Sequence, residues 1–565
     1  MAASPFTLEH VKANANSTMN KLAAALAAMT ALVFAVPTWA GDPPQNPAAL
    51  QRLLASRFEN DRSGACVLAA VLDKERTTRA LYCAGTRQDA PPAMDAAMEI
   101  GSVTKTMTAF LVADLMERQV WSLDDPIAKH LPAGTVVPQQ GERQILVRDL
   151  LTHSSGLPAL PPGMAVSDPA NPYAKLTETQ LLDALGRVQL QRPIGSQVEY
   201  SNFGMMLVSL AVARSDGGNY ETALRDRLLR PLGMQAYVSE PGSARLAQGH
   251  LAGGRRTAAW TLTPNLAGVG MVHASLADME RYARAALGEG PAPVVALLRT
   301  TQQPLAHGFG MNWMRRSIQG RELVMHEGAT GGFSSLVALE PAAHRAVVLL
   351  SDTELVNLGG LGDIGLASLG IEVPVQTPRR ALAASAQLQD ALIGDYQLGL
   401  MTLRIWRADE KLMAQASGQS AFELHHDSRG DFYPEGFAAL LTPLLDGTEG
   451  NAPVQRFAWR QGGGVTEARR VGAAPEAPAI SNPAWRDWAG EYQLAPQFSL
   501  RVFERDGRLM VQGTGQPAIE VQVAGKDRIE IRQVGAVVEF ERNAAGQVTT
   551  AVLQQKGQTL QGPRR

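Results

Sequence analysis

An excess of charge of either sign is missing from this chain. Its 52 Lys and Arg residues nearly balance 54 Asp and Glu, leaving a net charge of −2 over 565 residues. That balance excludes a nucleic-acid partner and a polybasic contact with a membrane surface. Cysteine is almost absent: Cys66 and Cys83 are the only two. Two cysteines cannot close a zinc cage, and no second pair exists. No Gly-x-Ser-x-Gly stretch surrounds any serine, which argues against a nucleophile elbow of the α/β-hydrolase kind. "HEGAT" (326–330) is no zinc-protease helix, because Thr330 stands where a second histidine is needed. Lysine is scarce as well, with nine in the whole chain, so each lysine in an apolar setting asks for a reason.

What is present begins with length. A chain of 565 residues is too long for one compact domain, and two to four domains are expected. Near the start, "MNKLAAALAAMTALVFAVPTWA" (19–40) has a basic residue at Lys21, a short apolar stretch, and small residues at Thr38 and Ala40. This reads as a secretory signal peptide cut after Ala40, with residues 1–18 an upstream extension. The apolar stretch is short for a membrane span, and no cysteine follows the cut to carry a lipid. The expected location is the periplasm or the outside of the cell, with no membrane span once the signal is removed. Export gives the cysteine pair a meaning. "ACVLAAVL" (65–72) and "RALYCAG" (79–85) read as a hairpin about "DKER" (73–76), with Cys66 and Cys83 nearly equidistant from the turn. A cross-strand disulfide is expected, against the alternative of two buried thiols.

Helical periodicity covers "PQNPAALQRLLASRF" (44–58) and dominates from about 101 to 290. Strand-like runs return at 322–328, 333–340 and 345–352, and a last helix is expected over Val356–Leu369. Strands at both ends with helices between predict an α+β domain, one antiparallel sheet built from both termini with a helical cluster inserted. A Pro- and Ala-bearing linker (373–387) follows, and beyond it the chain repeats itself. "GDYQL" (394–398) returns as "GEYQL" (490–494), and "KLMAQASGQ" (411–419) as "RLMVQGTGQ" (508–516). The expected organisation is an extension with signal peptide at 1–40, a domain at 44–372, and two small all-β modules at 386–473 and 484–563.

Three stretches carry candidate chemistry. In "GSVTKTMTAF" (101–110), Ser102 precedes Lys105 by three residues, which share a helix face. A serine hydroxyl needs a base to become a nucleophile, and a lysine serves only when burial or a helix N-terminus lowers its pKa. The plainer alternative is a surface lysine on an amphipathic helix. In "EYSNFG" (199–204), Tyr200 can act as acid or base beside a lysine and Asn202 can orient a carbonyl, or Ser201 or Asn202 simply caps a helix. "HEGATGGF" (326–333) lets backbone approach a ligand closely, and its strand edge can supply an N–H to an oxyanion hole. The alternative there is a glycine turn with a satisfied histidine. "GLGDIG" (360–365) only imitates a dinucleotide motif, and His153, His425 and His426 read as structural or surface residues.

Ser-x-x-Lys, Tyr-Ser-Asn and a His-x-Gly strand, in this order, resemble the serine β-lactamase and penicillin-binding-protein superfamily. The chain is most similar to its class C-like branch, which includes family VIII carboxylesterases, DD-peptidases and D-aminopeptidases. "VRDLLTHSSGLP" (147–158), "RLLRPLGM" (227–234) and "GVGMVHASLADMERY" (268–282) carry the same resemblance, which spans about residues 47–372. It implies a β-lactamase/transpeptidase-like fold with Ser102 as acylated nucleophile, Lys105 as its base and Tyr200 as proton shuttle. Asn202, His326, Gly328 and Ala329 then line the substrate site, the Ser102 and Ala329 N–H groups forming the oxyanion hole. The β-modules resemble the lipocalin-like barrels of some members. The expected substrate is a small molecule or peptide, cell-wall fragments among the candidates, with an amide bond of a β-lactam or D-amino-acid peptide; no metal or organic cofactor is implied. The competing readings are a carboxylesterase and a non-catalytic sensor of penicillin or wall fragments. His326 stands where many relatives carry lysine, and Glu327 where they carry a small hydroxyl residue. A neutral histidine would hold a carboxylate less firmly, and Glu327, if it faces the site, would repel anions and attract an ammonium.

Overall fold

The computed structural model describes residues 38–39, 42–168, 170–239, 246–399, 401–408, 410–444, 453–461, 464–471, 485–495, 498–505, 508–513, 519–531, 536–555 and 558–564. The expected upstream extension and nearly all of the expected signal peptide lie outside these residues. The chain divides into two compact units. The first reaches Ala381 and takes in Asp427–Arg429; the second comprises Leu382–His426 and Gly430–Arg565. Among the described residues no helix is long and apolar enough to cross a membrane.

The first unit opens with helix α1, Pro47–Phe58, started by the Asn46 side chain accepting from the Ala49 N–H and by Pro47 in its first turn. Strands β1 (Cys66–Leu72) and β2 (Thr77–Cys83) form the expected hairpin, and register pairs Cys66 with Cys83, which are disulfide-bonded. Four strands from the far end of the unit complete the sheet: β3 (Met314–Ile318), β4 (Arg321–Ala329), β5 (Ser334–Glu340) and β6 (Arg345–Ser351). The order is β2-β1-β6-β5-β4-β3, antiparallel throughout. This is the β-lactamase/transpeptidase-like arrangement of one sheet from both termini. Strands β1 and β5 are buried at every position, which is why they read as unbroken apolar runs and not as alternations.

Between the two groups of strands lie helices α2 (Thr104–Glu117), α3 (Asn202–Ser215), α4 (Leu276–Leu287) and α5 (Ala292–Gln302). Eleven of the fourteen residues of α2 are buried, so it is a central helix and not an amphipathic surface one. Its threonines serve as internal ties. Thr108 donates to the Gly268 carbonyl at 2.7 Å, Thr106 accepts from the Tyr282 hydroxyl at 2.8 Å, and Thr104 accepts from the Val272 N–H at 3.2 Å. The helix expected over Val356–Leu369 is broken in two, a 3₁₀ turn at Val356–Leu358 and a helix at Gly362–Ser368. Gly359 and Gly360, at φ +96° and +65°, interrupt it.

The second unit is β apart from a short helix, Ala386–Leu392, and holds two separate cores. In the first, strands β7 (Gly394–Leu398), β8 (Met401–Ala408), β9 (Lys411–Ala416), β10 (Phe422–Asp427), β11 (Phe432–Tyr433), β12 (Ala439–Leu444), β13 (Arg456–Gln461) and β14 (Gly464–Arg470) pair in a ring. The β10–β11 pairing closes it into an eight-stranded barrel, so no edge is left open in that ring. The second core lies within a four-stranded and a five-stranded sheet, joined where Tyr492 bridges Arg564. The sequence repeat has a physical counterpart. Tyr396 and Tyr492 are both fully buried, and each donates its hydroxyl to the carbonyl four residues upstream, Leu392 at 3.0 Å and Trp488 at 2.8 Å. Gly394 and Gly490 leave room for Arg470 and Arg564, whose guanidinium atoms a Cβ would meet at 2.5 and 2.7 Å.

Candidate active site

Ser102 sits in a 3₁₀ turn, Gly101–Val103, that leads directly into α2. The sheet holds this turn from behind: the Ser335 hydroxyl donates to the Ile100 carbonyl at 2.7 Å. Two glycines make the close approach possible. A Cβ on Gly328 would meet the Ile100 oxygen at 2.0 Å, and one on Gly101, at φ +49°, would meet the Ala329 nitrogen at 2.6 Å. Register pairs Ala329 with Ser334, while the next N–H, of Thr330, donates to Phe333. By the alternation of an antiparallel ladder, the Ala329 N–H therefore points away from β5. Strand β3 stops at the Met314–Met325 pair, so that edge of β4 is left open beside the Ser102 turn.

Lys105 lies in the first turn of α2 with its side chain fully buried. Its Nζ is 2.7 Å from the Ser102 hydroxyl and 2.6 Å from the Val269 carbonyl. Burial holds its pKa well below that of an ordinary lysine. A neutral amine there donates to Val269 and can accept the serine proton. The Val269 carbonyl is a partner that no side-chain motif could announce. Its one signal is the neighbouring Gly268, where a Cβ would meet Tyr220, Ser209 and Thr108 at 2.6–2.7 Å, so only glycine lets this segment dock on α2.

The Tyr-Ser-Asn stretch supplies the opposite wall. Ser201 caps α3, accepting from the Gly204 N–H at 2.9 Å and donating to Pro158 O at 2.7 Å. The capping reading of the stretch holds, and the cap fixes the position of the residues on either side of it. The Tyr200 ring lies 5.0 Å from Lys105 Nζ, and its hydroxyl is close enough to the Ser102 hydroxyl to act on it. Although 38% of Tyr200 is exposed, burial of its hydroxyl raises the phenol pKa, opposed by the neighbouring Ser102 hydroxyl, so it holds its proton. Asn202, the first residue of α3, donates to the Tyr173 hydroxyl at 3.4 Å, and its Oδ1 is buried without a partner.

His153, which reads from sequence as a structural turn residue, does more. Its carbonyl accepts from the Glu199 N–H at 2.8 Å, its Nδ1 accepts from the Ser201 N–H at 3.2 Å, and its ring packs 4.3 Å from that of Tyr200. It therefore brackets Tyr200 from both sides. The signal that could have exposed it is its place in "LTHSSGLP", a polar cluster inside an apolar frame.

His326 is 1% exposed and lies on β4, its ring 6.3 Å from that of Tyr200. Burial, aided by the charge of Lys105 and opposed by a hydrogen bond to the Glu327 carbonyl, lowers its pKa to about 3. Glu327 does not join it, which corrects the expectation that its carboxylate could govern substrate charge. Successive strand residues face opposite ways, and Glu327 packs against Gly360 and Gly362 on the other face. Burial there, with Asp363 adding repulsion, raises its pKa to about 7. Of the histidines set aside, His425 and His426 lie on β10 in the barrel.

A serine at a helix start, a buried lysine against its oxygen and a tyrosine ring beside that lysine define a serine hydrolase site. The beta-lactamase family model matches residues 49–362, more than half of the chain, and the chain belongs to that family. The D-alanyl-D-alanine-carboxypeptidase/endopeptidase AmpH of Escherichia coli (strain K12) is 26% identical over 309 residues, which covers 51% of this chain and 79% of that protein. Penicillin-binding protein 4 of Amycolatopsis lactamdurans is 29% identical over 282 residues, 46% of this chain and 72% of its own. Among solved structures, a beta-lactamase/D-alanine carboxypeptidase from Pseudomonas syringae matches with a TM-score of 0.49 at 20% identity, covering 57% of this chain and 97% of the other. The protein is thus an enzyme, a serine hydrolase of the beta-lactamase family, and the reading as a non-catalytic sensor is set aside.

Proposed function

We propose that the protein is an exported hydrolase that cleaves an amide bond, in a β-lactam or a D-amino-acid-containing peptide, through an acyl-enzyme on Ser102. The observation that carries this is the fully buried Lys105 amine 2.7 Å from the Ser102 hydroxyl. Lys105 takes the hydroxyl proton as the serine oxygen attacks the carbonyl carbon. The N–H groups of Ser102 and Ala329 hold the resulting oxyanion. Tyr200, protonated at rest, gives its proton to the leaving nitrogen as the C–N bond breaks, and recovers one from the Lys105 ammonium. In the second half, Tyr200 and Lys105 take a proton from water as it attacks the ester, and Ser102 leaves with its proton restored. Asn202 orients the acyl amide. The names of the two relatives, a D-alanyl-D-alanine-carboxypeptidase/endopeptidase and a penicillin-binding protein, support a wall-peptide or penicillin-like substrate.

The reading extends to the rest of the chain. A signal peptide at 19–40 delivers a mature protein to the periplasm or beyond, with a hydrolase domain at 44–372 and lipocalin-like modules at 386–473 and 484–563. The closed barrel and the paired tyrosine ties at Tyr396 and Tyr492 support two related modules.

Intact mass after incubation with a penicillin tests the nucleophile. The expected result is a gain of one opened penicillin by the wild type and none by Ser102→Ala; an adduct that persists in the variant would sink the assignment. N-terminal sequencing of the exported protein tests the address, with Gly41 expected as the first residue.

A further inference from the structure

One polar group in the cleft has a determined donor–acceptor sense. His326 Nδ1 lies 2.6 Å from the Glu327 carbonyl oxygen. A carbonyl can only accept, so Nδ1 carries the hydrogen, and the neutral ring is left with a lone pair at Nε2. That nitrogen is buried and has no partner among the described residues. It belongs to the site and not to the core behind it: the His326 ring lies 6.3 Å from that of Tyr200, which in turn lies 5.0 Å from Lys105 Nζ. Two hydroxyls flank the same strand end, and both hydrogens are committed. Thr330 donates to Glu99 and Ser335 to the Ile100 carbonyl.

We infer that His326 is a specificity-determining residue that presents the substrate with a hydrogen-bond acceptor, so the cleft prefers peptides whose group beyond the scissile amide is a donor, an amide N–H or an ammonium, over those ending in a free carboxylate. This rests on the acyl-enzyme reading of Ser102. A donor reaching Nε2 satisfies a buried orphan acceptor. A carboxylate placed there sheds its hydration against a lone pair and gains nothing. The substrate class is accordingly that of internal peptide bonds and amino-acid amides.

The test uses the full chain and two peptides that differ only at the end, an acyl-D-Ala-D-Ala with a free carboxylate and its carboxamide. The wild type is expected to cleave the carboxamide with kcat/KM about tenfold higher or more. His326→Lys should shift the ratio toward the free acid by a similar factor. His326→Gln, close in size and able to donate, should shift it the same way by less. A wild-type preference for the acid, or a ratio unmoved by both substitutions, overturns the inference. Should neither peptide turn over, protection of Ser102 from a fluorophosphonate reads binding alone. Stronger protection by the carboxamide supports the inference; equal or stronger protection by the acid overturns it. Failure of Ser102 to label counts against the acyl-enzyme reading instead. The ¹⁵N spectrum of His326 then still decides: a hydrogen on Nδ1 supports the acceptor, and one on Nε2 overturns it.

Discussion

Two tyrosine environments in this chain differ in one respect that separates function from structure. In the β unit, the Tyr396 hydroxyl has a full set of partners: the Leu392 and Val454 carbonyls at 3.0 Å each and Arg470, also at 3.0 Å. In the hydrolase unit, Tyr200 is surrounded by groups left incomplete. His153 Nε2, Asn202 Oδ1 and His326 Nε2 are all buried without a partner. An unpaired buried polar atom costs about 1–3 kcal/mol, and folded proteins keep few of them. Several such atoms around one serine mark a place where the missing partner is a substrate. The closed set around Tyr396 marks a tie that holds a barrel together.

The sharpest way to break this contrast is at the centre of the incomplete set. Ser102→Ala should lower kcat/KM by about 10⁴-fold or more, and Lys105→Met should approach the same loss, because nucleophile and base act as one unit. Circular dichroism and thermal melting should stay near wild type for Ser102→Ala. A serine variant retaining a tenth of the activity would place the chemistry elsewhere.

Next in size are the tyrosines. Tyr200→Phe removes the leaving-group acid and should lower kcat by about 10²–10³-fold with little change in melting. Tyr396→Phe and Tyr492→Phe should do the reverse, destabilising the β unit by about 1–3 kcal/mol while acylation of Ser102 proceeds at the wild-type rate. Equal effects of the three substitutions on activity and on melting would remove the distinction between open and closed sets.

The pH profile sharpens the same contrast with a smaller signal. Lys105 must be neutral to act, and burial holds its pKa well below the usual lysine range, so activity is present above that lowered pKa and lost below it. Tyr200 must be protonated, and its pKa is raised, so the alkaline loss belongs beyond the ordinary tyrosine range. Between the two, kcat/KM should form a plateau. His326, neutral down to about 3, should add no limb near the ordinary histidine value. A limb at about pH 6.5 that vanishes in His326→Gln would contradict its placement.

How much of this was legible in the residues follows from the range of the interactions. Five strands of the six-stranded sheet could be foreseen because they are apolar or alternating runs; β3, Met314–Ile318, is short, polar and partly exposed and gave no such signal. The Ser102–Lys105 contact could be foreseen because three residues on a helix is a local spacing. The Cys66–Cys83 pair faced each other because both are nearly equidistant from one turn. What escaped depends on contacts that cross the fold. The Val269 carbonyl reaches Lys105 across 164 positions and has no side chain to advertise it. His153 reaches Ser201 across 48, and its polar surroundings in "LTHSSGLP" do not name that partner. The Arg470 and Arg564 partners of the repeated glycines lie outside the repeated words. Glu327 is the instructive case: its neighbour His326 drew attention to the whole stretch, yet strand alternation sends the two side chains to opposite faces.

That alternation yields the smallest effect. Burial, with Asp363 nearby, raises the Glu327 pKa to about 7, so the folded chain holds a proton that the unfolded chain releases near the ordinary glutamate value. Stability should therefore fall as pH rises from that ordinary value through about 7 and level off above it. Glu327→Gln keeps the shape and removes the titration. It should leave stability at pH 4 nearly unchanged, and raise it at pH 8 by on the order of 1–3 kcal/mol relative to the wild type. Because the side chain packs against Gly360 and Gly362 and not toward Ser102, the acid-to-carboxamide substrate ratio should not move. Denaturant unfolding at the two pH values measures the first, and the paired peptides measure the second. A changed substrate ratio with an unchanged pH dependence of stability would put Glu327 on the catalytic face after all.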